Sequence, residues 1–148
     1  MIEITPESKN YKSVFLAGTI DNGNSLNWQK ELIDKFDENI DLVIYNPRRK
    51  HWNKSANKDE LEYQIKWEQE YLDKSNLIVM VLLDESKSPI SLLELGLYAQ
   101  SNKLIVFCTD KFYRFDNVRL TCEKYNIPLY NTLDTNVIFN KIIEYLKK

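Results

Sequence analysis

Seven consecutive apolar residues, Leu77-Ile-Val-Met-Val-Leu-Leu83, constrain this chain more than any other segment. A strand with one wet face alternates apolar and polar side chains, so a run that is apolar at every position must be covered on both faces. The run is far too short to span a bilayer as a helix. It therefore predicts the central strand of a parallel sheet enclosed between two helical layers. Parallel neighbours need crossover connections, usually helices, and the rest of the sequence supplies them.

Val14 to Ala17 is a first buried strand, ended by Gly18. Asn24 or Ser25 is placed to cap a helix that continues to about Phe36, with Leu26, Leu32, Ile33 and Phe36 as its apolar face. Leu42 to Tyr45 is a second strand, stopped by Asn46-Pro47. Residues 48–59 form a long polar stretch, and a helix follows from about Asp59 to Lys74 with Leu61, Ile65, Tyr71 and Leu72 turned inward. After the central strand, Ser88-Pro89 opens a helix with proline at its first position, ending near Ser101-Asn102. Leu104 to Phe107 is a fourth strand, residues 115–124 a short helix, Pro128 to Tyr130 a weak fifth strand and Asn136 to Leu146 the closing helix. Strands and helices alternate through 148 residues without repeats or linkers. Residues 1–148 thus read as one domain, a three-layer α/β sandwich with its ligand site at the carboxyl ends of the strands.

Composition excludes several function classes. Twenty basic residues against 22 acidic ones give a net charge of −2, which offers nothing general to a phosphate backbone. A polymeric nucleic acid is not an expected partner, although a small anion remains open. Cys108, Cys122 and the single histidine, His51, fit no metal or redox spacing, so neither a metal nor a cofactor is expected. The opening MIEITPES has no basic and apolar leader pattern, and no segment reads as a membrane span, so the expected location is cytoplasmic.

The sequence has no GxGxxG, no P-loop and no GxSxG elbow. Chemistry here would rest on carboxylates. Glu94 lies among apolar residues within two turns of a helix start, near Ile90, Ser91 and Tyr98, with Gly96 giving room for close approach. Aliphatic neighbours would raise its pKa and the helix N-terminus would lower it; an ordinary face residue is the alternative reading. Gln64 and Glu68 are four apart and share a helix face, with Trp67 beside them to hold a flat ring. The same helix carries Glu60, Glu62, Glu70 and Asp73, so a solvated face is the competing reading. Asn46-Pro47-Arg48-Arg49 puts two guanidinium groups at the sheet edge, where they would bind a phosphate, pair with acids, or simply solubilise the surface. Gly18-Thr19-Ile20-Asp21-Asn22 follows the first strand and offers N–H groups and a hydroxyl to a ribose or carboxylate. Glu68 and Glu94 sit on separate helices flanking Leu77 to Leu83, and two such carboxylates can act on a glycosidic bond, one attacking the anomeric carbon and the other assisting the leaving group.

Phe15-Leu-Ala-Gly-Thr-Ile20, Trp28, Asn46-Pro-Arg-Arg49, Gln64-Ile-Lys-Trp-Glu68 and Ser88-Pro-Ile-Ser-Leu-Leu-Glu-Leu-Gly96 together resemble the nucleoside 2-deoxyribosyltransferase family, nearest its type 2 or deoxyribosyltransferase-like branch. The resemblance implies a flavodoxin-like sandwich with a five-stranded parallel sheet. It implies exchange of the base on a small-molecule nucleoside or nucleotide through a covalent glutamyl sugar. Glu94 matches the nucleophile, Glu68 the acid that meets the base with Gln64 one turn before it, and residues 18–21 the lining of the sugar and base pocket. Ser88 and Ser91 fall in the nucleophile's segment, Ser91 placed to orient Glu94, and Trp67 or Trp52 would stack on the base. A further family acid, just before the third strand, falls near Asn76. Family sites also borrow a residue from a neighbouring subunit, for which Asp116 and Asn117 are the nearest matches. An aromatic-rich C-terminal third (Phe112, Tyr113, Phe115, Tyr125 and Tyr130) adds to the expectation of a homo-oligomer, packing of these rings within the monomer over the last strand and helix being the other reading. A hydrolase of nucleosides or nucleoside 5′-monophosphates, using the same nucleophile, and a non-catalytic nucleotide-binding module are the alternative readings.

Overall fold

Two apolar faces on each inner strand set the architecture. The computed structural model describes residues 12–49 and 57–147. Strands β1 (Lys12–Gly18), β2 (Leu42–Tyr45), β3 (Leu77–Leu82), β4 (Leu104–Cys108) and β5 (Leu129–Tyr130) form one parallel sheet in the order β2-β1-β3-β4-β5. This is the flavodoxin-like order, whose switch point falls between β1 and β3. Every residue of β3 is buried, as the unbroken apolar run requires. Its side chains alternate: Leu77, Val79 and Val81 point into one core, Ile78, Met80 and Leu82 into the other.

Helices α1 (Trp28–Ile33) and α5 (Thr135–Leu146) cover the first of these faces through Trp28, Leu32, Ile138 and Ile142. Helices α2 (Lys58–Lys74), α3 (Pro89–Tyr98) and α4 (Phe115–Tyr125) cover the second through Leu72, Leu95, Ala99, Val118 and Cys122. The result is a flavodoxin-like three-layer sandwich. No helix among the described residues is long and apolar enough to cross a membrane.

Several local expectations are corrected. Asn27, not Asn24 or Ser25, caps α1 by accepting from the Lys30 N–H, so the helix starts later and Leu26 is left exposed. On α2, Leu61 and Ile65 face solvent. The inward positions are Gln64, Trp67, Glu68, Tyr71 and Leu72, because α2 starts at the carboxyl edge of the sheet and reaches the packed core only in its later turns. The helix ends there in a lysine cap: Lys103 Nζ donates to the carbonyls of Leu72, Asp73 and Ser75. The C-terminal aromatics mostly serve the monomer. Phe112 is buried, and Phe115, Tyr125 and Tyr130 pack on the two cores, which leaves only Tyr113 of that group exposed.

Candidate active site

The site grows from the end of β1. Gly18 has φ +121°, and a Cβ there would stand 2.1 Å from the Val81 carbonyl oxygen of β3. Only glycine fits this close approach at the switch point. The chain then turns through Thr19, fully buried and bonded on every side. Its N–H donates to Val81 O (2.9 Å), and its carbonyl accepts from Trp28 Nε1 (2.8 Å) and Gln29 Nε2 (3.3 Å). Its hydroxyl accepts from the Leu83 N–H at 3.0 Å.

From Thr19 a chain of hydroxyls crosses to the loop after β3. Thr19 Oγ1 lies 2.7 Å from Ser88 Oγ, which lies 2.7 Å from Ser86 Oγ, which donates to Asp21 Oδ1 at 2.9 Å. The two ends fix the direction of every hydrogen. The Asp21 carboxylate only accepts, so Ser86 gives it its proton; Ser88 must then donate to Ser86 and Thr19 to Ser88. This chain holds two residues in left-handed backbone, Asp21 at φ +52° and Ser88 at φ +45°. It thereby fixes the 18–21 loop against the start of α3. Thr19 and Ser88, expected to bind substrate, spend their hydroxyls on this clamp. Ile20 helps shape the loop through its carbonyl, which accepts from Gly23 N–H and Ser25 Oγ.

The loop after β2 forms the opposite wall. Asn46 Oδ1 accepts from the Arg48 N–H at 3.0 Å, a local turn that sends the two arginines apart. Arg48 is committed to the first loop: its guanidinium donates to the carbonyls of Gly23, Ser25 and Leu26 and to Gln29 Oε1. Arg49 turns to α2, where its Nε donates to Gln64 Oε1 at 2.6 Å. Gln64 Nε2 donates in turn to Pro47 O (3.2 Å) and Glu68 Oε1 (3.1 Å). Trp67, half-buried beside them, packs at 6.1 Å on Phe15 and 5.0 Å on Tyr71. A cavity of about 590 Å³ opens between this loop and α2, with Asn46, Arg49, Gln64 and Trp67 in its lining.

Glu94 and Glu68 meet electrostatically. Burial pushes the Glu94 carboxyl up to about 8, and the charge of Glu68 adds to the shift. Burial also raises Glu68, but the hydrogen bond from Gln64 and the positive charge of Arg49 hold it back. A like charge nearby disfavours ionisation, as partial burial does. Ser91 is buried on the same helix, yet no hydrogen bond joins it to Glu94.

Other expected residues lie elsewhere. Asn117 is on α4, in the wall of a separate cavity of about 300 Å³ between α3 and α4, and Asp116 pairs with Arg119 at the surface. Asn76 sits at the amino end of β3, where its Oδ1 accepts from Ser13 N–H and Oγ, so it is a strand clamp at the edge opposite the site. His51 and Trp52 lie outside the described residues. Gln29 was not foreseen: a buried glutamine bonded to both Thr19 and Arg48, signalled in sequence only by its place beside Trp28. Among the described residues no three of His, Cys, Asp and Glu gather into a metal-binding group.

A family model described as nucleoside 2-deoxyribosyltransferase like matches residues 11–112, a stretch that contains both wall loops, Glu68 and Glu94. No curated protein matches the chain. Among solved structures, a conserved protein from Enterococcus faecalis V583 superposes with a TM-score of 0.54 at 18% identity, over 92% of this chain and 97% of that one. At that identity the likeness is one of fold.

Proposed function

The chain belongs to the nucleoside 2-deoxyribosyltransferase-like family, and from that premise we propose that it moves a 2-deoxyribosyl group between nucleobases through an ester on Glu94, with retention at C1′. Membership supports deoxyribosyl transfer as the general activity; the type 2 branch and the roles of individual residues are part of the proposal. The observation that carries it is the placing of Glu94 and Glu68 on two helices of the same sheet face, both half-buried, with the charge of Glu68 adding to the shift of Glu94.

In the first step a Glu94 oxygen attacks C1′ and the bond from C1′ to the base nitrogen breaks. The bonding pair leaves with the base, which takes a proton from Glu68. In the second step a nitrogen of the incoming base attacks C1′, the ester bond breaks, and Glu94 is released as a carboxylate while Glu68 recovers a proton. Two displacements at one carbon retain configuration. The 18–21 loop, clamped by its hydroxyl chain, would hold the sugar, and Trp67 in the wall of the cavity would hold the base. Arg48 is too heavily engaged with backbone carbonyls to serve a phosphate, which favours an unphosphorylated nucleoside over a monophosphate.

Assembly into a homo-oligomer belongs to the same reading. Ile90, Leu93 and Leu97 expose a stripe along α3, and Glu94 lies at the edge of that stripe on the same helix. Intact-mass spectrometry after mixing with a 2′-deoxynucleoside tests the mechanism. A deoxyribosyl adduct on the wild type that Glu94→Gln abolishes is expected; an adduct of equal yield on the variant overturns it. Supplying a second free base should give a new nucleoside, whereas release of sugar and base alone would point to hydrolysis.

A further inference from the structure

Gln64 is chemically locked. Arg49 Nε can only donate, so the oxygen of the Gln64 amide must face it, at 2.6 Å. The amide nitrogen is thereby turned the other way, and its two hydrogens are both used, one on Pro47 O and one on Glu68 Oε1. A flipped amide would set N–H against N–H at Arg49 and oxygen against oxygen at Glu68. Glu68 therefore always meets a donor.

The charged and titratable groups acting on the pair, among the described residues, are few. Glu68 faces Arg49 and Glu94; Glu94 faces Glu68 and, one turn along α3, Tyr98, whose hydroxyl donates to Asp73 near the end of α2. Among the described residues only Gln64 gives a hydrogen bond to one carboxyl and not to the other.

We propose that Gln64 is a positioning residue that decides which carboxyl of the pair carries the shared proton: its N–H fixes Glu68 as the acceptor, so the proton stays on Glu94 until an incoming base takes that N–H. The inference rests on the reading of Glu94 as nucleophile and Glu68 as the acid that meets the base. In the empty site Glu94 is neutral and cannot attack. Because both Gln64 hydrogens are spent, a base that accepts one of them displaces a present partner. When it displaces Glu68, that carboxylate loses its donor and becomes the more basic of the two. The proton passes from Glu94 to Glu68. One transfer makes Glu94 a nucleophile and Glu68 an acid, and base binding itself sets it off. The higher basicity of Glu94 in the empty site is in line with this order.

The test reads the protons directly and needs no turnover. The enzyme is labelled with ¹³C at the glutamate carboxyls, and the Glu68 and Glu94 signals are assigned with Glu68→Gln and Glu94→Gln. In the wild type Glu94 should titrate at the higher pH. In Gln64→Leu the Glu94 midpoint should fall by about one pH unit or more and that of Glu68 should rise. Gln64→Met, which keeps the length of the side chain but offers Glu68 no donor, should act in the same direction. Saturating adenine or cytosine added to the wild type should lower the Glu94 midpoint as Gln64→Leu does. Unchanged Glu94 midpoints in both variants overturn the role of Gln64; an unchanged midpoint with base overturns its coupling to base binding. Failure of the sugar adduct, with these titrations as expected, would overturn the transferase reading alone.

Discussion

Glu94→Gln should make the protein more stable, and by an amount that grows with pH. In the unfolded chain a glutamate ionises near 4.5; in the fold Glu94 holds its proton to about 8. Between those values the folded state binds one proton more than the unfolded state, so stability falls as pH rises, at 1.36 kcal/mol per unit. Below 4.5 both states are neutral and nothing is lost; above 8 both are ionised and the loss is complete. The interval of three and a half units sets that loss at about 5 kcal/mol, of which about 4 kcal/mol accrues between pH 5 and pH 9. Glutamine fills the same space and does not titrate. The stability of Glu94→Gln relative to wild type should therefore rise by about 4 kcal/mol over that range, a shift of about 2 M in urea midpoint for a slope of about 2 kcal/mol/M. The assay is urea unfolding of both proteins at pH 5, 7 and 9. Taking the difference between the two cancels every group they share. A difference that stays constant with pH, or shrinks, would refute the claim that this carboxyl is buried beside a like charge.

Other outcomes follow from the same geometry. Because the base leaves with the one proton that the pair holds, kcat/KM, which reports the free enzyme, should fall as pH rises through about 8; a profile that climbs from pH 6 to 9 would argue against the shared proton. Glu68→Gln should slow poor leaving bases most, since they depend most on a proton, and uniform losses across a series of bases would count against that role. Gly18→Ala drives a Cβ to 2.1 Å from the Val81 carbonyl at a backbone angle alanine avoids, and should cost more than about 3 kcal/mol by thermal or urea unfolding. Leu93→Glu on the exposed stripe of α3 should weaken assembly without unfolding the chain; light scattering that finds the wild type monomeric at micromolar concentration would sink the assembly proposal.

The layers of the fold can be read from the chain's apolar runs. Apolar runs such as Leu77 to Leu83 leave the backbone one way to bury both faces, and the helices between them are marked by local chemistry, Ser88-Pro89 among it. The three-layer sandwich, the element order and the candidacy of Glu68 and Glu94 were all legible at that level. The direction in which α2 turns was not. Its hydrophobicity favours Leu61 and Ile65 as inward residues, but the first turns of the helix stand over a polar sheet edge, and there Gln64 and Glu68 face in. Nor could spacing show that Arg48 is spent on the first loop while Arg49 reaches Gln64, since the two are adjacent in the chain and diverge only through the Asn46 turn. The buried Gln29 and the Thr19–Ser88–Ser86–Asp21 chain join residues up to 69 positions apart, and no local pattern announces such bonds. Strand order sets β1 and β3 side by side and lays α2 and α3 on one face of the sheet, where the charge of Glu68 reaches Glu94.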